Sequence, residues 1–234
     1  MIVTIPSYHR AGQVSSLDFL GDAFSKEEII IGTQCEEDYE AYTQLYGERA
    51  TVIYRAGSCC SDNRNNLLSW LHEQGITECL QIDDDLKNIR TMADKRLVGK
   101  EFRELMERCL ALCRKEGVTL FGGGSTDNFF FLRKGAGPCM LVGMLLGFLD
   151  TSVRFDPKFL IKHDYELSLR LMAQGRKVIR FNSFGASGKN KSSGGCVDAY
   201  KRRDYEWEAQ TLVEAFPQYV KLNPKKRGEI LFIR

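Results

Sequence analysis

The sequence lacks the features that would assign it to a membrane, to a zinc finger or to general nucleic-acid binding. Its longest apolar run, residues 139–149, is too short to cross a bilayer, which needs about 20 apolar residues. The eight cysteines and three histidines contain no Cys-x-x-Cys pair and no zinc-finger spacing, so we expect no zinc site. A net charge of +2 creates no overall field that demands a nucleic acid, although the C-terminal third is locally basic.

Linkers, repeats and nucleotide-loop fingerprints are absent as well. The chain has only five prolines and no composition shift, so its 234 residues are predicted to form one domain, residues 1–234. The glycine triplet Gly122–Gly124 matches neither the Rossmann fingerprint nor the P-loop. The sequence opens without a basic leader and cleavage site, and we therefore expect reduced, structural cysteines in a cytoplasmic protein.

Short apolar segments alternate with helical segments in the first 82 residues. Strands that alternate with helices imply parallel βαβ units, which predicts an α/β fold with an open, mainly parallel twisted sheet flanked by helices. Ligands bind such sheets beyond the carboxyl ends of the strands, so the loops that follow the strands are expected to line one crevice. The predicted strands are 2–5, 29–32, 51–54 and 79–82, and the predicted helices are 14–24, 36–47 and 62–74.

The rest of the chain is less regular. The apolar run 139–149 is predicted to be core. Glycines, serines and lysines fill 185–195, which fits a closing flap as well as an ordinary connection. Phe129–Phe131 is expected to be buried rather than to stack on a base, because aromatic side chains dominate cores. Further helices are predicted at 100–116, 164–174 and 198–215, and further strands at 177–181 and 230–233.

Three consecutive aspartates follow the predicted strand 79–82. Carboxylates this close repel one another unless a cation or strong donors offset the charge. Carboxylate oxygens suit Mg²⁺ or Mn²⁺, which complete their ligand shells with substrate phosphates. Asp83–Asp85 therefore indicates a metal site for a phosphate-bearing substrate, and the alternative is an acidic loop or the cap of a helix that begins at 86–90.

A second candidate carboxylate is Asp164, at the predicted start of a helix. Backbone N–H groups and the helix dipole hold a carboxylate ionised there, and an ionised carboxylate beside a substrate hydroxyl is a general base. Helix capping alone also explains an aspartate at this position.

In chain order, Ile5–Arg10, Arg55–Asn66, Ile82–Asp85 and His163–Leu171 resemble the landmarks of GT-A-fold nucleotide-sugar glycosyltransferases. The resemblance covers roughly residues 1–185, and the ordered set is far more specific than any one member. Within that superfamily, the compact size and the Gly-Gly pair after a Ser/Asn/Lys loop are most similar to the TET-associated glycosyltransferases of phages. Those enzymes modify hydroxymethylated pyrimidines in DNA.

The resemblance implies a role for each matching residue. Asp83 and Asp85 take the outer positions of the DXD motif and are implied to ligate Mn²⁺ or Mg²⁺. Asp164 is implied to be the catalytic base of an inverting reaction, although His163 replaces the glutamate that precedes it in the family. No histidine follows this helix to serve as a further metal ligand. The residues implied to bind the nucleotide sugar are Pro6, Ser7, Tyr8, Arg10, Arg64, Asn65, Asp83 and Asp84. Lys189 is added to this set from the composition of segment 185–195, because a lysine on a closing flap can reach a diphosphate.

The resemblance also implies the substrates. The expected donor is a nucleoside-diphosphate sugar, a UDP-sugar in the first place, bound by residues 1–95, with 96–234 as the acceptor half. A hydroxymethylpyrimidine in DNA is the preferred acceptor, and an envelope glycan or a small-molecule hydroxyl is the alternative. Two other functions stay open: a nucleotidyltransferase, and a non-catalytic nucleic-acid-binding module that uses the basic runs Lys201–Arg203 and Lys225–Arg227.

Overall fold

The computed structural model describes residues 1–188 and 204–233, which form one large mixed sheet with helices on both faces. The helices are α1 Ser15–Leu20, α2 Glu36–Tyr46, α3 Cys60–Glu73, α4 Gly99–Glu116, α5 His163–Ala173 and α6 Asp204–Ala215. The strands are β1 Val3–Pro6, β2 Ile29–Thr33, β3 Thr51–Tyr54, β4 Cys79–Ile82, β5 Leu86–Thr91, β6 Arg96–Leu97, β7 Val118–Gly124, β8 Ala136–Pro138, β9 Leu145–Phe148, β10 Lys177–Gly188, β11 Val220–Leu222 and β12 Ile230–Phe232. Parallel neighbours make up the first part of the sheet, in the order β3-β2-β1-β4, and the order continues β9-β7-β10-β5-β6 with β8 beside β10.

The α/β fold class predicted from the sequence is confirmed. The predicted elements of the first 82 residues lie within a few residues of their observed bounds, because short β-branched strands and longer helices alternate there as βαβ units. Beyond β4 the pairing changes. β9 runs antiparallel to both β4 and β7, whereas β7 and β10 are parallel neighbours. The predicted core segment 139–149 supplies β9, and all four of its residues are buried.

The core lies on both faces of the sheet. Alternate residues of the central strands enter different apolar clusters, since successive side chains of a strand point to opposite faces. Leu80 packs in the cluster under α1 and α4, and Cys79 packs in the cluster under α3 and α5. A third cluster joins α6 and the hairpin β11-β12 to the rest of the domain. The centre of the sheet is therefore covered on both faces, and the aspartates follow one of its central strands, β4.

Two sequence interpretations are corrected by the sheet. Residues 86–90 form β5 and not the start of a helix, because Leu86 and Ile89 are buried and the strand pairs with β10. Residues 185–188 belong to β10, so they are not part of a flap. Residues 189–195 of that predicted flap, with Lys189, and the basic run 201–203 lie outside the described residues.

The phenylalanine run is also corrected. Phe129–Phe131 forms a 3₁₀ turn between β7 and β8, and the side chains of Phe130 and Phe131 are 80% and 74% exposed. Composition predicts burial of this run, but the sheet core is already filled by other aromatic side chains such as Phe121 and Phe148. The run is an exposed apolar feature of the surface.

Candidate functional site

The loops predicted to line one crevice do converge at the carboxyl ends of β1 and β4. The two strands are parallel neighbours, so the loop after β1 and the aspartates after β4 leave the sheet at the same edge. Ser7 donates a hydrogen bond to Asp84 at 2.5 Å, and Arg10 reaches Asp84 and Asp85. Helix α3 brings Arg64 to the same place, where it pairs with Asp83.

The middle aspartate, Asp84, is turned into the protein. Its side chain is 7% exposed, and its two oxygens accept from Ser7 Oγ and from Arg10 Nη1 at 2.6 Å. Ser7 Oγ also lies 2.7 Å from the hydroxyl of Tyr42. Burial raises the pKa of Asp84, while Ser7 and Arg10 act in the opposite direction. Asp84 thus ties the loop after β1 to the loop after β4.

Asp83 is half-buried and forms an ion pair with Arg64, whose side chain is itself buried. Arg64, 3% exposed, binds Asp83 through Nη2 and donates to Gln81 Oε1 at 3.0 Å. Burial would lower the pKa of Arg64, but Asp83 raises it, and the guanidinium stays charged. Burial raises the pKa of Asp83 to about 7; Arg64 opposes the increase, and the neighbouring Asp85 and Asp84 add to it.

Asp85 is the second outer aspartate. Its side chain is 17% exposed, and its oxygen lies 3.3 Å from Arg10 Nη1, which also binds Asp84. The end of β10 passes close by, since a Cβ on Gly188 would lie 2.8 Å from Asp85 Oδ1. The outer pair Asp83 and Asp85 is therefore more accessible than Asp84.

The carboxylate of Asp164 lies beside Arg64. Asp164 is in the first turn of α5, and its oxygens accept from the backbone N–H of Gly143 at 2.6 Å and of Tyr165 at 2.8 Å. Gly143 also accepts from Arg64 Nη2 at 3.3 Å through its carbonyl. Gly143 is thus a direct bridge from Asp164 to the guanidinium that binds Asp83.

Glycine at position 143 follows from this close packing. An added Cβ would lie 3.2 Å from Arg64 Nη2 and 3.3 Å from Asp164 Oδ2, so any side chain would press on both charged groups. Helix α5 also binds the chain just before Gly143. Ser168 Oγ, on this helix, donates to the carbonyl of Asp164 at 2.8 Å and accepts from Leu141 N–H at 3.1 Å. The segment before β9 is therefore fixed against α5.

His163, which precedes Asp164, does not line an open crevice. It is 5% exposed, and its ring lies edge-on to Phe155 with 5.4 Å between centroids. Burial acts to lower the pKa of His163, and the neighbouring Cys60, at the start of α3, acts to raise it. His163 is therefore a buried neighbour of Asp164.

The remaining predicted site residues have different surroundings. Pro6 is buried at the end of β1. Tyr8 is 40% exposed, and its ring lies 3.8 Å from that of His9 between centroids. Both polar ends of Asn65 bind the backbone of Phe155, at 2.9 Å and 2.7 Å, so its amide is occupied by a structural contact.

Sequence reasoning missed several residues that shape the site. Gln81 lies inside β4, and the only sign in the sequence that it binds Arg64 is a polar amide within a buried strand. Ser16, in α1, hydrogen-bonds to the carbonyl of Asp83 and accepts from Leu86 N–H at 3.0 Å. A serine at a helix start is a capping signal, and here it supports the aspartate turn instead.

The residues of the site fit a hard divalent cation in part. Asp83 and Asp85 offer the carboxylate oxygens that Mg²⁺ and Mn²⁺ prefer. Burial is the main cause of the raised pKa of Asp83, and the neighbouring Asp85 and Asp84 add to it, which a bound cation would offset. However, the three aspartates do not bring three oxygens together, because Asp84 faces inward. Two carboxylates with water or phosphate oxygens would then complete the shell.

Comparison with known proteins shows the fold. No protein-family model and no curated protein sequence matches this chain. Residues 1–349 of TarS from S. aureus match at a TM-score of 0.51 and 12% identity, over 91% of this chain and 66% of that one. The two chains share a fold.

Two further solved structures lie at lower similarity. A cytidylyltransferase from Leptospira borgpetersenii matches at a TM-score of 0.49 and 12% identity, over 93% of this chain and 94% of that chain. A candidate nucleotide-diphospho-sugar transferase from Desulfovibrio desulfuricans G20 matches at 0.48 and 13%, over 92% and 97%. Within the described residues, no helix combines the length and the apolar character needed to cross a bilayer.

Proposed function

We propose that this protein is a metal-dependent glycosyltransferase that moves a sugar from a nucleoside-diphosphate sugar to an acceptor hydroxyl with inversion. The observation that supports this most is the bridge of Arg64 and Gly143 between Asp83 and Asp164, because it joins the carboxylate proposed to bind the metal to the carboxylate proposed as the base. The order of motifs along the chain and the fold shared with TarS agree with it.

The donor half of the proposal rests on the loop after β1 and the aspartates after β4. Asp83 and Asp85 would hold Mn²⁺ or Mg²⁺, which when bound neutralises charge on the leaving diphosphate. Arg10 is anchored between Asp84 and Asp85 and adds positive charge there. The exposed ring of Tyr8 offers an apolar face to a base. A UDP-sugar is the donor we expect first.

The acceptor half rests on Asp164. Its two oxygens each accept a backbone N–H, which orients the carboxylate and leaves lone pairs for a proton. In the proposed reaction the acceptor oxygen forms a bond to the anomeric carbon as the bond from that carbon to the diphosphate oxygen breaks. The acceptor proton passes to Asp164. Attack from the side opposite the diphosphate inverts the anomeric centre.

A DNA base is the acceptor that the exposed phenylalanines favour. Phe130 and Phe131 stand out from the surface, and the exposed Arg133 and Lys134 follow them. Stacking of bases on aromatic side chains next to cations is a general mode of single-strand binding. A hydroxymethylpyrimidine in DNA is therefore the proposed acceptor, with an envelope glycan or small-molecule hydroxyl as alternative outcomes of the test.

The test begins with ligand-induced stabilisation. Nucleoside diphosphates and nucleotide sugars are added with and without Mn²⁺, and the melting temperature is measured. A ligand at 100 times its Kd adds about 2.7 kcal/mol of stability. Stabilisation by UDP only with Mn²⁺ supports the donor site.

Turnover is then followed as UDP release with hydroxymethylated or unmodified DNA and with glycan acceptors. Release of pyrophosphate from a nucleoside triphosphate would identify a nucleotidyltransferase instead, and no response to any nucleotide would leave a binding module.

A further inference from the structure

Three side chains with metal-ligating atoms meet outside the aspartate site. They are His9, in the loop after β1, and Cys35 and Asp38, at the start of α2. A ring nitrogen, the thiol sulfur and a carboxylate oxygen all lie within 4.8 Å of one another. Among the described parts of the chain, 1–188 and 204–233, no second group of three His, Cys, Asp or Glu side chains comes this close.

The fold brings the three residues together. β1 and β2 are parallel neighbours, so the loops that follow them leave the sheet side by side. Cys35 is the residue before the first turn of α2, and Asp38 follows three positions later on the same helix face. His9 has a left-handed backbone with φ of 52°, and its N–H donates to Asp38 Oδ2 at 2.8 Å. This contact holds a non-glycine residue in a conformation that is otherwise unfavourable.

The composition of the group selects the class of ligand. A thiolate, an imidazole and a carboxylate together suit Zn²⁺ and similar borderline transition metals, whereas Mg²⁺ and Mn²⁺ prefer oxygen alone. Zinc bonds of about 2.0–2.3 Å in a tetrahedron imply ligand atoms roughly 3.3–3.8 Å apart. His9 Nδ1 and Asp38 Oδ1 are already 3.3 Å apart. The remaining separations, at most 4.8 Å, shorten by rotation of the exposed His9 side chain and of Cys35.

We propose that His9, Cys35 and Asp38 form a binding site for one borderline divalent transition-metal ion, with Zn²⁺ as the best match. Three protein ligands leave the fourth tetrahedral position for water or another small ligand. The site needs only these three side chains and therefore stands apart from the proposed transferase activity.

An ion here would fix the loop that carries Arg10. Arg10 donates its N–H to the hydroxyl of Tyr42 at 2.9 Å, and Tyr42 lies one helical turn after Asp38 on α2. The loop is thus already attached to α2 by Tyr42 and Asp38. A metal bond from His9 to Cys35 would add a third attachment and stabilise the folded protein by mass action.

The experiment uses Co²⁺ as a spectroscopic substitute for Zn²⁺ in the full-length protein. A cysteine thiolate bound to Co²⁺ gives a charge-transfer band in the near ultraviolet, which a carboxylate site such as Asp83 and Asp85 cannot give. We expect the band to saturate at one Co²⁺ per chain and to disappear when Zn²⁺ is added. Equilibrium dialysis with Zn²⁺ then measures the Kd.

Two variants and a matched control separate this site from adventitious thiol binding. Cys35→Ser should abolish the band and weaken Zn²⁺ binding by more than about 100-fold, beyond the 10–100-fold loss typical of outer-shell changes. His9→Gln, at an exposed position, should weaken it strongly without loss of the fold. Cys59→Ser is the control, because Cys59 is half-buried and precedes α3 as Cys35 precedes α2.

The results are decisive in either direction. Loss of the band in Cys35→Ser and its retention in Cys59→Ser, with circular dichroism unchanged, establish the site. The proposal is overturned by the absence of a band at stoichiometric Co²⁺, by equal losses in the two cysteine variants, or by full Zn²⁺ affinity in His9→Gln.

Discussion

Replacement of Asp164 by asparagine tests the proposed base most directly, because the change keeps the shape and removes the charge. Each oxygen of Asp164 accepts one backbone N–H, from Gly143 at 2.6 Å and from Tyr165 at 2.8 Å. An asparagine can satisfy only one of these donors, and its NH₂ group would face the other. The loss of a charged acceptor beside a buried N–H costs about 1–3 kcal/mol in the free energy of unfolding.

The effect on catalysis is expected to be larger. Loss of a general base lowers kcat by about 10²–10⁴-fold, which corresponds to about 3–5 kcal/mol in the activation barrier. Donor binding should be retained, since Asp164 is proposed to contact the acceptor. The assay is UDP release from UDP-sugar with acceptor, combined with the melting-temperature shift that UDP and Mn²⁺ produce in wild type and variant.

A matched control separates the chemical effect from loss of stability. Ser168→Ala removes the hydroxyl that accepts from Leu141 N–H and donates to the carbonyl of Asp164, so it leaves a buried donor unsatisfied and costs a similar 1–3 kcal/mol. The carboxylate stays intact. We expect this variant to keep turnover within about 10-fold of wild type. Equal losses of turnover in both variants, or an active Asp164→Asn, would refute Asp164 as the base.

Three further predictions concern the metal, the pH dependence and the core. Asp85→Asn should remove the Mn²⁺-dependent part of stabilisation by UDP and leave metal-free stability nearly unchanged; an undiminished Mn²⁺ effect would contradict the metal assignment. The hydrogen bond from Arg103 is the main cause that lowers the pKa of Glu28 from 4.5 to about 2. The ionised Glu28 therefore contributes to the free energy of unfolding above about pH 4.5, and this contribution is lost as pH falls towards 2. In urea unfolding, Glu28→Gln should cost about 1–3 kcal/mol at pH 6 and almost nothing near pH 2, and a pH-independent difference would argue against this ion pair. Gly147→Ala places a Cβ 2.1 Å from the ring of Phe121 and should cost about 1–3 kcal/mol by urea unfolding, whereas a neutral result would show that the ring can move.

Most of the secondary structure of the first half could be predicted because its signals are local. β-branched strands and amphipathic helices alternate, and each pattern depends on residues a few positions apart. The same reasoning placed the aspartates at a strand end and Asp164 at a helix start, where the structure has them. The sequence analysis predicts none of β5, β6, β7, β8 and β11; for β5 and β8, pairing with β10 decides the strand and not their own short sequences.

The sequence alone thus determined the α/β class, the order of its first strands and helices and the carboxylates that could carry chemistry. Only the tertiary structure decided which side chains meet. It turned Asp84 inward, inserted Arg64 and Gly143 between Asp83 and Asp164, and left Phe130 exposed. Contacts between residues tens of positions apart depend on strand order and register, which local periodicity does not encode.

The group of His9, Cys35 and Asp38 is also decided by the tertiary structure and not by sequence spacing. Sequence spacing predicted no zinc site, because known finger patterns require ligands in short, regular intervals. The neighbouring strands β1 and β2 bring a histidine within reach of a cysteine and an aspartate that lie 26 and 29 residues further along the chain. Parallel strand pairing, and not sequence proximity, brings the three side chains of the proposed site together.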